Sequence, residues 1–240
     1  PNSRWEEIAE HGVAFLKPPF YAGNGRFNYL LSREGKVLEG TSSVFTDHFV
    51  LGGLYEYIRA TGKTEHIDFA KALSDDLFKN VKDENVLHNL GVREGFQKSA
   101  VNFITMHVAQ ESSYIFGEKY LPIAKEYAQK VLYTFPSDEY EAVFENVSIT
   151  GQPVLEGDGR LIDPGHTFEA LWFVMEQGEI LQTKEYNQRA ATLLDWTWER
   201  CYDREYGGFY QFVDVEHHVP EKEFLSNTYV DIPVAWDAKI

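Results

Sequence analysis

The sequence predicts an all-α protein built as a toroid of helical hairpins, with short β-hairpins set between helix pairs. Three observations predict it. Apolar residues recur at steps of three and four along most of the chain, the mark of helices that bury one face. Residues 25–36 and 207–216 share one form, glycine followed by alternating aromatic or apolar residues and a polar turn, and Val143-Phe144-Glu145-Asn146-Val147-Ser148 with Thr150-Gly151 supplies a third such element. These elements return after helix pairs, and a repeat of helix, helix, hairpin buries its faces only against its neighbours.

The elements follow in order. Ile8, Val13, Phe15 and Leu16 mark a first helix, stopped by Pro18-Pro19, which cannot continue it. Ser42 or Ser43 caps a second, whose apolar face of Val44, Phe45, Phe49, Leu51, Leu54, Tyr55 and Ile58 runs to the stop at Thr61-Gly62. Thr64 opens a third, with Ile67, Phe69, Ala70, Leu73 and Leu77 inward. A fourth and fifth run from about Lys98 to Phe116 and from Leu121 to Leu132. The sixth and seventh follow Pro164-Gly165 and Thr183, carrying Phe168, Leu171, Trp172 and Met175, then Ala190, Leu193, Leu194, Trp196 and Trp198. Strands are expected near 26–37, 143–148 and 208–215. The chain opens inside one amphipathic pattern and stops as another begins, so 1–240 reads as a single catalytic domain that is an internal portion of a longer chain. Phe15, Leu16 and Val234 are then expected beside an apolar seam.

Composition narrows the function. With 43% hydrophobic and 25% charged residues in 240, the chain is in the globular range. The 22 Lys and Arg against 38 Asp and Glu give −16, which repels nucleic acid and anionic membrane surfaces. Apolar runs such as 49–54, broken by Gly52-Gly53, fall far short of the roughly 20 residues a membrane span needs. Cys201 is the only cysteine, which fits a reducing compartment and a cytoplasmic location.

Chemistry concentrates between Asn146 and Phe173. Pro164-Gly165 ends one backbone regime and starts a helix, which puts His166 in its first turn, where loop meets rigid scaffold. Glu169, three residues on, shares its face, and a carboxylate there fixes one imidazole nitrogen and leaves the other to move a proton. The other reading of the spacing is a plain helix cap.

Here the chain resembles the N-acylglucosamine 2-epimerase family, which includes cellobiose 2-epimerases and aldose-ketose isomerases. Glu145-Asn146-Val147-Ser148 and Asp163-Pro164-Gly165-His166-Thr167-Phe168-Glu169-Ala170-Leu171-Trp172-Phe173 carry the resemblance, supported by Tyr55-Glu56-Tyr57-Ile58-Arg59-Ala60-Thr61-Gly62 and Asp203-Arg204-Glu205-Tyr206-Gly207-Gly208-Phe209-Tyr210 in the same order. The resemblance implies an (α/α)6 barrel, incomplete at both ends here, with a sugar site in its mouth. It implies two histidines on opposite faces of an open-chain sugar, one mapping to His166 with its supporting carboxylate at Glu169, the second beyond Ile240 together with an N-terminal arginine outside the chain. Asp163 stands where many relatives carry Asn. His107 matches an inner-helix histidine of relatives, although Gln110 replaces their usual Glu, and a core or rim histidine is the competing reading. Asp163, Trp172 and Phe209 are the expected substrate contacts.

Other histidines read as structural: His48 as a satisfied core residue, and His217-His218 as a solvated turn, since neighbours on a strand point to opposite faces and cannot readily chelate one metal. Gly157-Asp158-Gly159 lacks the strand and helix of a nucleotide loop. The expected reaction is proton removal and return at C2 of a ring-opened aldose or N-acylhexosamine through an enediolate. It needs no cofactor and no metal. A nucleotide effector and a homodimer are allowed by the resemblance. The alternatives are a glycoside-cleaving (α/α)6 barrel and a non-catalytic sugar- or protein-binding relative.

Overall fold

Helices open on a side-chain cap at Ser43, Asp83 and Asp163. The computed structural model describes residues 3–216, which hold eight α-helices with short strands set between groups of them. The strands form five sheets of two strands each, all antiparallel. The chain divides into two compact units, one of 3–92 with His107–Ala124 and one of Arg93–Met106 with 125–216.

In the first unit, α1 (Ser3–Ala14) buries none of its residues, and Trp5, Ile8 and Phe15 stand exposed. Leu16 is half-buried, and Val234 lies outside the described residues. Strands β1 (Tyr21–Gly23) and β2 (Arg26–Phe27) pair, as do β3 (Leu30–Leu31) and β4 (Val37–Glu39). Helix α2 (Val44–Thr61) starts where the Ser43 hydroxyl accepts the Phe45 N–H, and ends at Gly62, whose φ of 69° is left-handed and suits glycine. Its buried face is Val44, Asp47, His48, Leu51, Leu54, Tyr55 and Ile58, a 3.6-residue stripe. Phe49, expected on that face, is exposed because it sits about 140° around the helix from Val44. Buried Asp47 accepts from Arg26 Nε at 2.6 Å and from the Phe27 N–H at 2.8 Å, pinning β2 onto α2. Helix α3 (Ile67–Asn80) packs on α2, and the short α4 (Glu84–Asn89), absent from the sequence reading, follows.

Helices α5 (Ser99–Phe116) and α6 (Leu121–Tyr133) each contribute residues to both units. The second unit contains β5 (Phe96–Lys98), β6 (Pro136–Ser137), β7 (Ala142–Val143), β8 (Asn146–Ser148), β9 (Leu161–Ile162), α7 (Pro164–Ile180), α8 (Lys184–Cys201) and β10 (Val213–Asp214). The expectation near 26–37 is met by the local hairpin of β3 and β4. Segment 143–148 is split: β7 pairs back to β6, while β8 pairs with β5, Lys98 opposite Asn146. β10 pairs with β9, and Arg160 clamps that pair by gripping Asp214 with Nε and Nη2, each at 2.7 Å. Alternation along a strand reveals its period but not its partner, which is why the long-range β5–β8 and β9–β10 pairings were invisible. They matter because β5, β8 and β9 bring the starts of α5 and α7 together.

Candidate active site

Asp163 begins the site. It leaves β9 in extended conformation and caps α7, its Oδ1 accepting the His166 N–H at 3.0 Å, while Pro164 occupies the first turn, where a missing N–H costs nothing. The Thr167 hydroxyl reinforces the turn by donating to the Asp163 carbonyl at 2.9 Å. His166 is thereby fixed at the third helical position.

Glu145 reaches the same point from the other side. Its N–H donates to the Leu161 carbonyl at 2.9 Å and its carbonyl accepts the Ser99 N–H at 2.8 Å, so β9 and the start of α5 hold its backbone from both sides. Its buried carboxylate meets His166, with Oε2 at 3.1 Å from Nδ1. Asp163 Oδ2 is also 3.1 Å from Nδ1. Both neighbours are carboxylates, so Nδ1 carries the hydrogen. The opposite nitrogen, Nε2, makes no hydrogen bond among the described residues, and 30% of the side chain stays exposed. The Phe103 ring of α5 packs on the imidazole at 5.5 Å between centroids.

Electrostatics follow from this crowding. Burial works against a charge on His166, but the charge and hydrogen bond of Glu145, joined by Asp163, outweigh it and push the imidazole up to about 9. Glu145 is buried too, yet His166, Lys98 Nζ at 3.9 Å and the Ala100 N–H at the α5 terminus hold its carboxyl below the usual range. Burial and the Glu145 charge push Asp163 up to about 6, against the pull of His166 and the backbone. The ligand atoms of Glu145, Asp163 and His166 lie within 4.8 Å of one another, close enough to consider for a cation. The Nδ1 proton, donated to Glu145 with Asp163 beside it, already occupies that space.

Of the residues expected from sequence, His166 and Asp163 come together here. The carboxylate on the imidazole is Glu145 rather than Glu169. Helical side chains lean toward the N-terminus, so the His166 ring turns back over Asp163 and Glu145 instead of forward along α7. Glu169, one turn on, is half-buried; burial raises its carboxyl, with the His166 charge opposing. Trp172 is 65% exposed. Phe209 sits in an aromatic cluster with Phe168, Trp198 and Tyr202, at 4.8, 5.0 and 5.3 Å between centroids. His107 is half-buried on α5 in the first unit. His48 is fully buried with Nδ1 donating to the Val44 carbonyl at 2.8 Å, and burial lowers it to about 4, the state of a structural histidine. His217 and His218 lie outside the described residues. Sequence reasoning passed over Glu145, whose signal was an acid set between Val143-Phe144 and Val147 in a segment otherwise built for burial.

Comparison with known proteins identifies the family and the fold. The family described as N-acylglucosamine 2-epimerase (GlcNAc 2-epimerase) matches residues 2–230. N-acylglucosamine 2-epimerase of Homo sapiens is 24% identical over 203 residues, covering 80% of this chain and 46% of that protein. The chain thus spans about half the length of the curated relatives it matches. Among solved structures, a D-mannose isomerase superposes with a TM-score of 0.72 at 16% identity, over 90% of this chain and 60% of the other. An α-1,6-mannanase from Salegentibacter gives 0.66 at 15%, over 90% and 57%. These likenesses establish the fold class as that of (α/α)6 barrels. No described helix is long and apolar enough to cross a membrane.

Proposed function

The chain belongs to the N-acylglucosamine 2-epimerase family, and from that premise we propose that the protein is a carbohydrate 2-epimerase or aldose-ketose isomerase acting on a ring-opened aldose or N-acylhexosamine. The observation that carries this reading is His166, with Nδ1 tied to a buried carboxylate and Nε2 left without a partner among the described residues. Removing the C2 proton of an open-chain sugar leaves an enediolate. Return of a proton to the opposite face of C2 gives the epimer, and return at C1 gives the ketose. With its pKa raised to about 9, His166 holds a proton on Nε2 at neutral pH. That suits it to donate to the enediolate, while a second group takes the proton. His107 is the candidate within this chain for a further proton-transfer role, and Glu169, Trp172, Phe209 and Asp163 for contacts around the sugar.

The likeness to a mannanase raises glycoside cleavage as the rival. That chemistry needs two carboxyl groups flanking the scissile bond. Both buried carboxylates here are turned onto His166, which favours the proton-transfer reading. Proton transfer of this kind needs no cofactor, the charge of −16 argues against a nucleic-acid partner, and the lone buried Cys201 is compatible with a cytoplasmic protein. A nucleotide effector and a homodimer belong to the same proposal.

The test is solvent exchange. Incubated in D2O with glucose, mannose, cellobiose and N-acetylhexosamines, the protein should wash deuterium into C2 of at least one sugar, and His166→Ala should slow this by at least about 100-fold. A wild-type protein that exchanges no sugar overturns the reading, and in favour of a binding role if sugar still binds.

A further inference from the structure

Resting on the proton-transfer reading above, we propose that Glu145 is the positioning residue for His166, holding Nδ1–H so that Nε2 is the proton-carrying atom, with Lys98 and the start of α5 keeping Glu145 ionised.

Three independent features support this assignment over Glu169, which sequence spacing favours. First comes contact: Glu145 Oε2 is 3.1 Å from Nδ1. Glu169 has no hydrogen bond to the ring among the described residues. Second is rigidity. The Glu145 backbone is tied to Leu161 and to Ser99, and its side chain is only 3% exposed, so the acceptor is fixed before any ligand arrives. The third is compensation, since a buried carboxylate persists only where charge and hydrogen bonds offset its burial. Here Lys98 Nζ stands at 3.9 Å and the Ala100 N–H faces the carboxylate. Because β5 pairs with β8, Lys98 lies opposite Asn146, the neighbour of Glu145. One strand pairing therefore brings in the histidine's anchor together with the anchor's counter-ion.

The titratable groups facing His166 are Glu145, Asp163, Lys98 and, through its charge, Glu169. Their signs make the proposal testable without turnover. Glu145→Gln removes a negative neighbour, and the His166 midpoint, followed by NMR of its ring nitrogens in the full chain, should fall by about 1 to 3 units. Lys98→Met removes a positive one and should move it upward. General damage would not shift the same group in opposite directions. Glu169→Gln should shift the midpoint less than Glu145→Gln does. On activity, Glu145→Gln should lower kcat by about 100-fold or more with KM little changed, and Glu145→Asp should restore part of it. An unmoved midpoint in Glu145→Gln, or a larger shift in Glu169→Gln, overturns the assignment. Since the titration is read whether or not a sugar is processed, an inactive wild type would sink the epimerase reading alone.

Discussion

Asp163 engages His166 twice, with Oδ1 accepting the backbone N–H at 3.0 Å and Oδ2 lying 3.1 Å from ring Nδ1. One carboxylate therefore both starts α7 and helps to charge the imidazole at its tip. The two duties separate by substitution. Asn caps a helix about as well as Asp, so Asp163→Asn should leave stability nearly unchanged while lowering the His166 midpoint. Asp163→Ala loses the cap as well and should cost about 1 kcal/mol more in urea unfolding. Equal stability of the two variants would remove the cap from this account.

Stability should depend on pH through the same histidine. A group whose folded pKa is raised gives its full stabilisation below its unfolded value and loses it as pH rises through the folded value. For His166 that window runs from 6.5 to about 9. Asp163, raised from 3.8 to about 6, has the same sign at lower pH, whereas Glu145, lowered from 4.5, loses its contribution as pH falls. The urea midpoint is therefore expected to drop between pH 6.5 and 9. His166→Gln should flatten that drop, and an identical slope in this variant would place its origin elsewhere.

Much of the fold was legible because its signals are local. Ser43 and Gly62 bound α2, and Pro164-Gly165 starts α7, each through backbone chemistry confined to a few residues. His166 could be singled out for the same reason. Glu145 could not be paired with it, because 21 residues separate them and their segments are joined by long-range contacts such as the Glu145–Leu161 and Asn146–Asp158 hydrogen bonds. Spacing along one helix offered Glu169, and it carries no information about the direction in which an imidazole leans.

Tyr55 makes a prediction for the first unit. Its hydroxyl lies 2.5 Å from Ser74 Oγ and 2.8 Å from Ser112 Oγ, fully buried between α2, α3 and α5. Each serine also reaches a carbonyl of its own helix at 2.7 Å, Ala70 for Ser74 and Val108 for Ser112. With those fallbacks, Tyr55→Phe strands no donor and should cost only about 1 kcal/mol by urea unfolding. A loss of several kcal/mol would mean that the serines depend on the tyrosine.

Gly178 sets how closely α7 and α8 approach. A Cβ there would lie 2.5 Å from Asn187 Oδ1, 3.3 Å from the Thr183 carbonyl and 3.3 Å from Tyr186 Cβ. The amide of Asn187 can swing aside, whereas the Thr183 carbonyl and the Tyr186 Cβ belong to the turn and first coil of α8. Alanine would gain about 1 kcal/mol of helix propensity over glycine. Overpacking typically costs about 1 to 3 kcal/mol, and two of the three contacts are rigid, so Gly178→Ala should be a net loss of about 1 to 2 kcal/mol. The strain falls near the C-terminal end of α7, far along the helix from His166, so the midpoint of His166 should not move in this variant. Stabilisation by Gly178→Ala would show that α8 can retreat from α7. A shifted His166 midpoint would show that the α7–α8 contact helps to place the turn that carries His166.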